Sequence, residues 1–290
     1  MDRANQVDGE AASVGAEPAP RSGFDTASAE TASTCGIAVM AKASTPGRAK
    51  TRLVPPLTYD EAAALNTAFL QDVIDNMLLA ARHAAPHAGI AGYAGYGPPG
   101  SEEFFRRNFP QSIELIEAWL PNFGDCLHHT ICEIFGRGHA AAVVLNADSP
   151  TLPTALLNET AELLARPGDR AVLGPSSDGG YYLLGLKAAH RRMFEDIAWS
   201  TEHVAEQTLE RARQIDLDVH LLPVWYDVDD IETLRRLRAE LCRGEAVSGV
   251  IDAPRPHHAR HTASLLNRVW PDGDFGHRLE KLEKMDVSAA

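Results

Sequence analysis

Apolar residues in this chain fall into two kinds of pattern, short continuous runs and longer stretches at helical spacing, and the two alternate. The run Cys35-Gly-Ile-Ala-Val-Met-Ala reads as a strand. Thr58-Tyr-Asp-Glu61 carries the capping-box spacing and opens a long amphipathic helix to about Ala85. A strand at about Ala88–Tyr93, a polar helix at Ser101–Asn108, a strand at Ser112–Ala118 and a helix from Gly124 to about Gly136 follow. Ala140-Ala-Ala-Val-Val-Leu-Asn146 is the uninterrupted kind of run found in strands covered on both faces. The alternation continues with a helix at Thr154–Ala165, strands at Arg170–Leu173 and Tyr181–Leu186, a helix at Thr201–Arg213, a strand at Val219–Pro223 and a helix at Asp230–Cys242. Strands alternating with helices predict an α/β fold with a mostly parallel sheet flanked by helices on both sides.

The ends of the chain break this pattern. Residues Met1–Thr34 are rich in Ala, Ser, Glu and Gly with few large apolar side chains, which predicts a disordered tail, 1–34, ahead of a single folded domain at 35–245. Beyond about Gly244 periodicity fades, and 246–290 reads as a C-terminal extension in which Ser264–Trp270 and Gly276–Lys284 could form short docking helices. The N-terminal composition fits neither a secretory signal nor a transit peptide, and no window has the length and apolarity of a membrane span. The four cysteines, Cys35, Cys126, Cys132 and Cys242, form no C-x-x-C pair, so a reducing, cytoplasmic setting is expected. His257, His258 and His261 cluster late in the chain among Pro and Arg, a weak basis for a metal site.

With a formal net charge of -13, the protein is not expected to coat nucleic acid. One segment reverses that sign. After the first strand come Lys42, Arg48, Lys50 and Arg52, with no acidic residue between Cys35 and Leu53. Pro46-Gly47 imposes a turn there, and the cations suit the phosphates of an anionic small molecule. The spacing is not that of a Walker A loop; the segment reads as an anion site, with a solvated basic turn as the alternative.

Ligands of open α/β sheets collect at the carboxyl ends of the strands, where two acidic groups stand. Asp148, in Asn146-Ala-Asp-Ser-Pro150, follows the most apolar strand and suits either a hard divalent cation or a turn. Asp227-Val-Asp229-Asp230 follows a later strand; Asp229 is the better ligand candidate, Asp227 the next, and Asp230 the N-cap of the last helix. Between them Asp178-Gly179-Gly180-Tyr181-Tyr182 makes a turn into a strand, suited to close approach of a substrate, and Trp199-Ser200-Thr201 is either a helix cap or a substrate contact.

Met-Ala-Lys42-Ala-x-x-Pro46-Gly47-Arg48-x-Lys50-Thr51-Arg52-Leu53, Asp148-x-Pro150, Gly174-Pro-x-x-Asp178-Gly179-Gly180-Tyr181-Tyr182, Trp199-Ser200-Thr201 and Asp227-Val-Asp229 together resemble, in order, the glycosyltransferases of arsenosugar biosynthesis. That family lies in the nucleotide-diphospho-sugar transferase superfamily with a GT-A fold. The chain also looks like guanylyltransferases acting on phospholactate and on the molybdenum cofactor. Ser44 stands where the family usually carries Pro, and Gly124-Asp125-Cys126-Leu127 only partly matches its Gly-Asp-Leu-Gly motif.

The resemblance implies a Rossmann-like GT-A domain and a transferase of nucleotide-activated sugars. It implies nucleotide binding by Lys42, Gly47, Arg48, Lys50 and Arg52, a Mg²⁺ or Mn²⁺ ion on Asp148 and Asp229, and a substrate side lined by Gly179, Gly180 and Tyr181. Asp178 is then the first residue to test as catalytic base. The implied partners are a nucleotide sugar or nucleoside triphosphate and a small-molecule acceptor, with neither nucleic acid nor membrane. A nucleotidylyltransferase releasing pyrophosphate could use the same residues, and a catalytically silent nucleotide-binding module is a third possibility.

Overall fold

The computed structural model describes residues 33–243, 254–270 and 277–278. The expected disordered tail lies outside the described residues except at its end, where Ser33 and Thr34 are part of the first strand and pair with Ala88 and Gly89. Thr34 is held there by two further contacts, its carbonyl accepting from Ala140 N–H at 3.0 Å and its hydroxyl lying 3.0 Å from His139 Nδ1.

The sheet contains β1 (Ser33–Lys42), β2 (Ala88–Gly97), β3 (Glu114–Glu117), β4 (Ala141–Leu145), β5 (Ala171–Pro175), β6 (Tyr181–Leu186) and β7 (Val219–Leu221) in the order β3-β2-β1-β4-β6-β5-β7. All neighbours are parallel except at β6, which runs antiparallel to both β4 and β5. The helices are α1 (Tyr59–His83), α2 (Glu102–Asn108), α3 (Phe123–Gly136), α4 (Thr154–Ala165), α5 (Val204–Gln214), α6 (Ile231–Arg243) and α7 (Arg260–Val269).

Side chains alternate across the central strands, so each strand feeds two cores. Ile37, Val39, Val143 and Leu145 join Leu65, Phe69 and Leu156 beneath α1 and α4, while Ala38, Val144 and Leu184 join Leu127, Ile131 and Ala212 beneath α3 and α5. Burial on both sides explains why β4 is apolar at every position. Helix α1 starts where the capping box places it, Glu61 N–H donating to Thr58 Oγ1 and Thr58 N–H to the Glu61 carboxylate. No described helix is long and apolar enough to cross a membrane.

Two expectations change. Thr201 does not cap α5, which begins three residues later at Val204. Ser200 adopts a left-handed φ of 66° and the Thr201 hydroxyl donates to Ala198 O, so the chain makes an extra turn first. The late helix also begins earlier than Ser264, at Arg260, and takes His261 into its first turn. Helix α7 packs on α1 and buries Leu265 and Leu266. Ala259 precedes it with a φ of 40° and offers no side-chain cap. The cap comes instead from α1: the buried Asp72 carboxylate accepts the His261 and Thr262 N–H groups at 2.9 and 2.8 Å.

Replacing Asp72 with Ala is expected to cost about 2–3 kcal/mol, from the lost cap and two amides left unpaired in a buried site. Urea denaturation should show a lower midpoint at unchanged slope. A loss below about 0.5 kcal/mol would mean that apolar packing alone holds α7.

Candidate functional site

The basic loop begins where β1 ends, and three features shape it. Ala43 N–H donates to Gly97 O at 2.9 Å, keeping the first residue beyond β1 against β2. Arg48 and Ala49 N–H both donate to Thr45 O, closing a turn in which Gly47 takes a φ of 75°. Asn66 of α1 donates from Nδ2 to Ser44 Oγ at 2.8 Å and to Lys42 O at 3.2 Å, tying the loop to the helix. A proline at position 44 would offer no hydroxyl for that tie.

Lys50 differs from its neighbours. Lys42, Arg48 and Arg52 are exposed, but the Lys50 side chain is only 6 % exposed. Its backbone is left-handed, with φ 49° and ψ 39°, a conformation that costs of order 1–3 kcal/mol in a residue with a Cβ. Its ammonium meets Asp148 Oδ1 at 2.7 Å, Asp229 Oδ1 at 2.9 Å and Val228 O at 2.7 Å, which occupies all three donors. Burial pulls the Lys50 pKa down most strongly, yet the charges and hydrogen bonds of Asp148 and Asp229 together outweigh it, and the net shift is upward. Val228 N–H donates to Asp148 O at 2.9 Å, so the two acidic segments are also joined through their backbones. Arg52 lies outside this knot, 3.7 Å from Asp229 Oδ2 and 73 % exposed.

A cleft with two unlike halves results. The first, of about 270 Å³, is lined by Lys42, Arg48, Lys50, Arg52 and Asn66 together with Asp148 and Asp229. The second, of about 400 Å³, shares Arg52, Asp148 and Asp229 with the first and adds Asp178, Asp227 and Glu202 with an aromatic wall. That wall is a chain of edge contacts, Tyr181 to Trp199 at 6.4 Å and Trp199 to Phe123 at 5.3 Å between ring centroids. Burial, with the neighbouring Asp178, Asp229 and Asp148, pushes the Asp227 carboxyl up to about 6. Burial also raises the Tyr181 hydroxyl above its usual range.

The Asp178 loop is held from both sides. Ser176 N–H donates to Gly180 O, and Gly180 N–H donates to Asp178 Oδ1 at 2.9 Å. Gly179 has a φ of 90°, and its carbonyl accepts Ala205 N–H at the start of α5. A Cβ on Gly179 would lie 2.0 Å from Glu202 O, so only glycine lets this turn touch the segment that carries Trp199.

The structure thus gathers Lys42, Arg48, Lys50, Arg52, Asp148 and Asp229 around one cavity and Asp178, Gly180 and Tyr181 around the other. Gly47 and Gly179 line neither; they shape the two turns. Asp230 caps α6, its Oδ1 accepting Thr233 N–H at 2.8 Å, and that bond holds its carboxyl below the usual range. Sequence reasoning passed over Asn66, Asn146 and Ser176. Asn66 left one trace, a polar residue on the buried face of an amphipathic helix; Asn146 and Ser176 left none beyond their positions after strands.

Two carboxylates are a fitting donor set for a hard divalent ion that also takes phosphate oxygens. Lys50 engages Oδ1 of each, and the Oδ2 atoms remain on side chains 35 and 39 % exposed. Elsewhere among the described residues, Asp72, Asp75 and His261 bring ligand atoms within 4.8 Å of one another. Both Asp72 oxygens are committed to the α7 amides, however, and Asp75 Oδ2 to Arg260 at 2.8 Å and His261 at 3.1 Å.

The family model described as an uncharacterized protein conserved in bacteria (DUF2064) matches residues 80–201, from the end of α1 to the residues following Trp199. No curated protein matches the sequence. Among solved structures, the chain is similar to a candidate nucleotide-diphospho-sugar transferase from Desulfovibrio desulfuricans G20, with 26 % identity and a TM-score of 0.63 over 81 % of this chain and 97 % of that one. A CMP:2-keto-3-deoxy-manno-octonic acid synthetase complexed with CTP is 12 % identical with a TM-score of 0.46, over 73 % of this chain and all of that one. A 4-diphosphocytidyl-2C-methyl-D-erythritol synthase from Anaerococcus prevotii DSM 20548 is 10 % identical with a TM-score of 0.45, over 73 % of this chain and 97 % of that one.

Gly179→Ala is expected to cost more than about 2 kcal/mol, because the positive φ and the Glu202 carbonyl oppose a Cβ together. Thermal and urea unfolding measure it. A variant as stable as the parent would mean that the 178–180 turn does not depend on its contact with α5.

Proposed function

We propose that this protein is a metal-dependent glycosyltransferase that moves a sugar from a nucleoside-diphosphate donor to a small-molecule acceptor. The observation that carries this reading is the shared border of the two half-cavities. A cation-lined half suited to a diphosphate meets an acidic, aromatic half suited to a sugar and acceptor, and Asp148, Asp229 and Arg52 belong to both. Support also comes from the likeness to the Desulfovibrio protein, and the motifs resemble, in order, those of arsenosugar-type glycosyltransferases.

In this reading Lys42, Arg48 and Arg52 bind phosphate oxygens from the open side of the loop, and the Gly47 turn lets backbone come close to them. Lys50 acts mainly on the acids: its three donors are committed, and it reaches a phosphate only by releasing one partner. Asp148 and Asp229 would hold Mg²⁺ or Mn²⁺, which when bound supplies positive charge against the departing diphosphate. If configuration inverts, a carboxylate in the second half must take the proton of the attacking acceptor hydroxyl. Asp178 is first in line, because the Gly180 N–H steadies one oxygen while the residue stays exposed to the cavity. Asp227 lines the same cavity and is the alternative base.

Calorimetric titration with nucleoside diphosphates, with and without Mn²⁺, tests the reading. Arg48→Ala combined with Lys42→Ala should weaken binding at least about tenfold, each lost charge-assisted contact contributing about 1.5–3 kcal/mol. Asp148→Asn and Asp229→Asn should abolish the metal dependence, whereas Asp230→Asn should retain it. Metal-dependent binding surviving in Asp148→Asn would remove the assigned metal site. Release of pyrophosphate from a nucleoside triphosphate, in place of nucleoside diphosphate from a nucleotide sugar, would reassign the enzyme as a nucleotidylyltransferase.

A further inference from the structure

Lys50 sits between the two carboxylates assigned above to a divalent ion. Its ammonium lies 2.7 Å from Asp148 Oδ1 and 2.9 Å from Asp229 Oδ1, and it donates to Val228 O at 2.7 Å. Two carboxylates and a carbonyl converging on one small cation are also an oxygen set of the kind a hard divalent ion takes. The ammonium and such an ion cannot both use the Oδ1 atoms. Their like charges would be pressed together around a side chain only 6 % exposed, where solvent and salt screen little. An ion on the Oδ2 atoms instead would face a second cation, since Arg52 Nη1 stands 3.7 Å from Asp229 Oδ2.

Lys50 has another place to go. The same side chain lines the cation-rich half beside Lys42, Arg48 and Arg52, where the diphosphate is proposed to bind. Its stem is flexible, and its three donors can be redirected without breaking a fork geometry such as that of Arg. Phe69 of α1 flanks the ammonium, with its ring centroid 5.3 Å from Nζ, so one side of the path is a smooth aromatic face rather than a competing acceptor. The left-handed backbone of Lys50, φ 49° and ψ 39°, is a conformation that persists only while surrounding contacts over-determine it, and such strain gathers at residues that switch. Releasing the two carboxylates and the carbonyl removes the contacts that hold it.

We propose that Lys50 is an exchangeable counter-ion of the metal site: it yields Asp148 and Asp229 to the divalent ion and turns its ammonium onto the diphosphate in the cation-lined half. This inference rests on the transferase reading above and adds a rule for how its ligands bind. A divalent ion arriving alone drives Lys50 toward Lys42, Arg48 and Arg52 with no anion to receive it. A diphosphate arriving alone draws Lys50 off two carboxylates that then repel each other. Each ligand supplies what the other's binding leaves unpaired, so their coupling is positive and reciprocal, and they bind as a unit.

Two measurements on the full chain test the exchange. Mn²⁺ affinity in the absence of any nucleotide, read from the paramagnetic resonance of the free ion, should be at least about tenfold higher in Lys50→Met than in the parent, and Asp148→Asn should abolish the gain. Amine acetylation followed by mass spectrometry reads Lys50 in the parent itself, so it holds even if Lys50→Met fails to fold. Lys187, at the opposite end of the sheet because β6 runs antiparallel, is the reference amine. Lys50 should be protected in the metal-free protein, at least about fivefold more reactive at saturating Mg²⁺, and protected again once inorganic pyrophosphate is added to the Mg²⁺-loaded protein. Equal or weaker Mn²⁺ binding by Lys50→Met, Lys50 still protected in the metal-loaded parent, or exposure that pyrophosphate does not reverse would each overturn the exchange. The two readings stay separable. Mn²⁺ binding absent from both proteins, or indifferent to Asp148→Asn, defeats the metal site of the transferase reading and this inference with it, whereas Asp148-dependent binding with any of those three outcomes defeats the exchange alone.

Discussion

One ammonium group organises the cleft. Lys50 Nζ joins the loop after β1 to Asp148 after β4 and to Val228 and Asp229, 178 and 179 residues further along the chain. Two carboxylates this close would repel each other in the absence of a cation, and a buried ammonium without them would be costly to desolvate. Each makes the other tolerable, and the upward shift of the Lys50 pKa shows the attraction prevailing over burial. The left-handed backbone of Lys50 is a local cost that these three bonds offset. One positive charge against two negative ones leaves the knot with a net negative charge, and the exposed Arg52 stands 3.7 Å from Asp229 Oδ2.

The unequal halves of the cleft follow from that knot. On one side the cations of the loop are concentrated in a chain whose formal charge is -13, so their field stands out against an acidic background. On the other side Asp178, Asp227 and Glu202 gather near an aromatic wall, and burial, with the charges of Asp178, Asp229 and Asp148, pushes the Asp227 carboxyl up to about 6. An anion is attracted to the first half and repelled by the second. In the reaction proposed above, the cation-lined half would stabilise the departing diphosphate, with the two acids at the boundary.

The scaffold supports this arrangement at a distance. Helix α1 ties the basic loop through Asn66 and caps α7 through Asp72, so one helix serves both the cleft and the C-terminal part of the fold. Its N-terminal Glu61 also receives Arg278 in a two-bond ion pair at 3.1 and 2.6 Å, which brings the chain beyond α7 back to the start of α1.

Local order was readable in the sequence wherever the cause was local. Helix α4 and strand β6 span the residues that apolar spacing predicts, the Thr58–Glu61 box starts α1, and Gly47 makes its turn because neighbouring residues alone decide those features. The strand-end rule likewise placed Asp148, just beyond β4, at the cleft, since a parallel strand delivers the residue after it to the same sheet edge, whereas Asp229 arrives there on the long loop between β7 and α6. Tertiary structure alone decided the rest. The antiparallel insertion of β6 between β4 and β5 comes from pairing over long separations, which no spacing encodes. The burial of Lys50 among acids, the Asn66 tether and the capping of α7 by Asp72 each join residues distant in sequence. A charged or polar residue looks the same in a sequence whether it faces water or a partner far along the chain, and only the folded chain chooses between them.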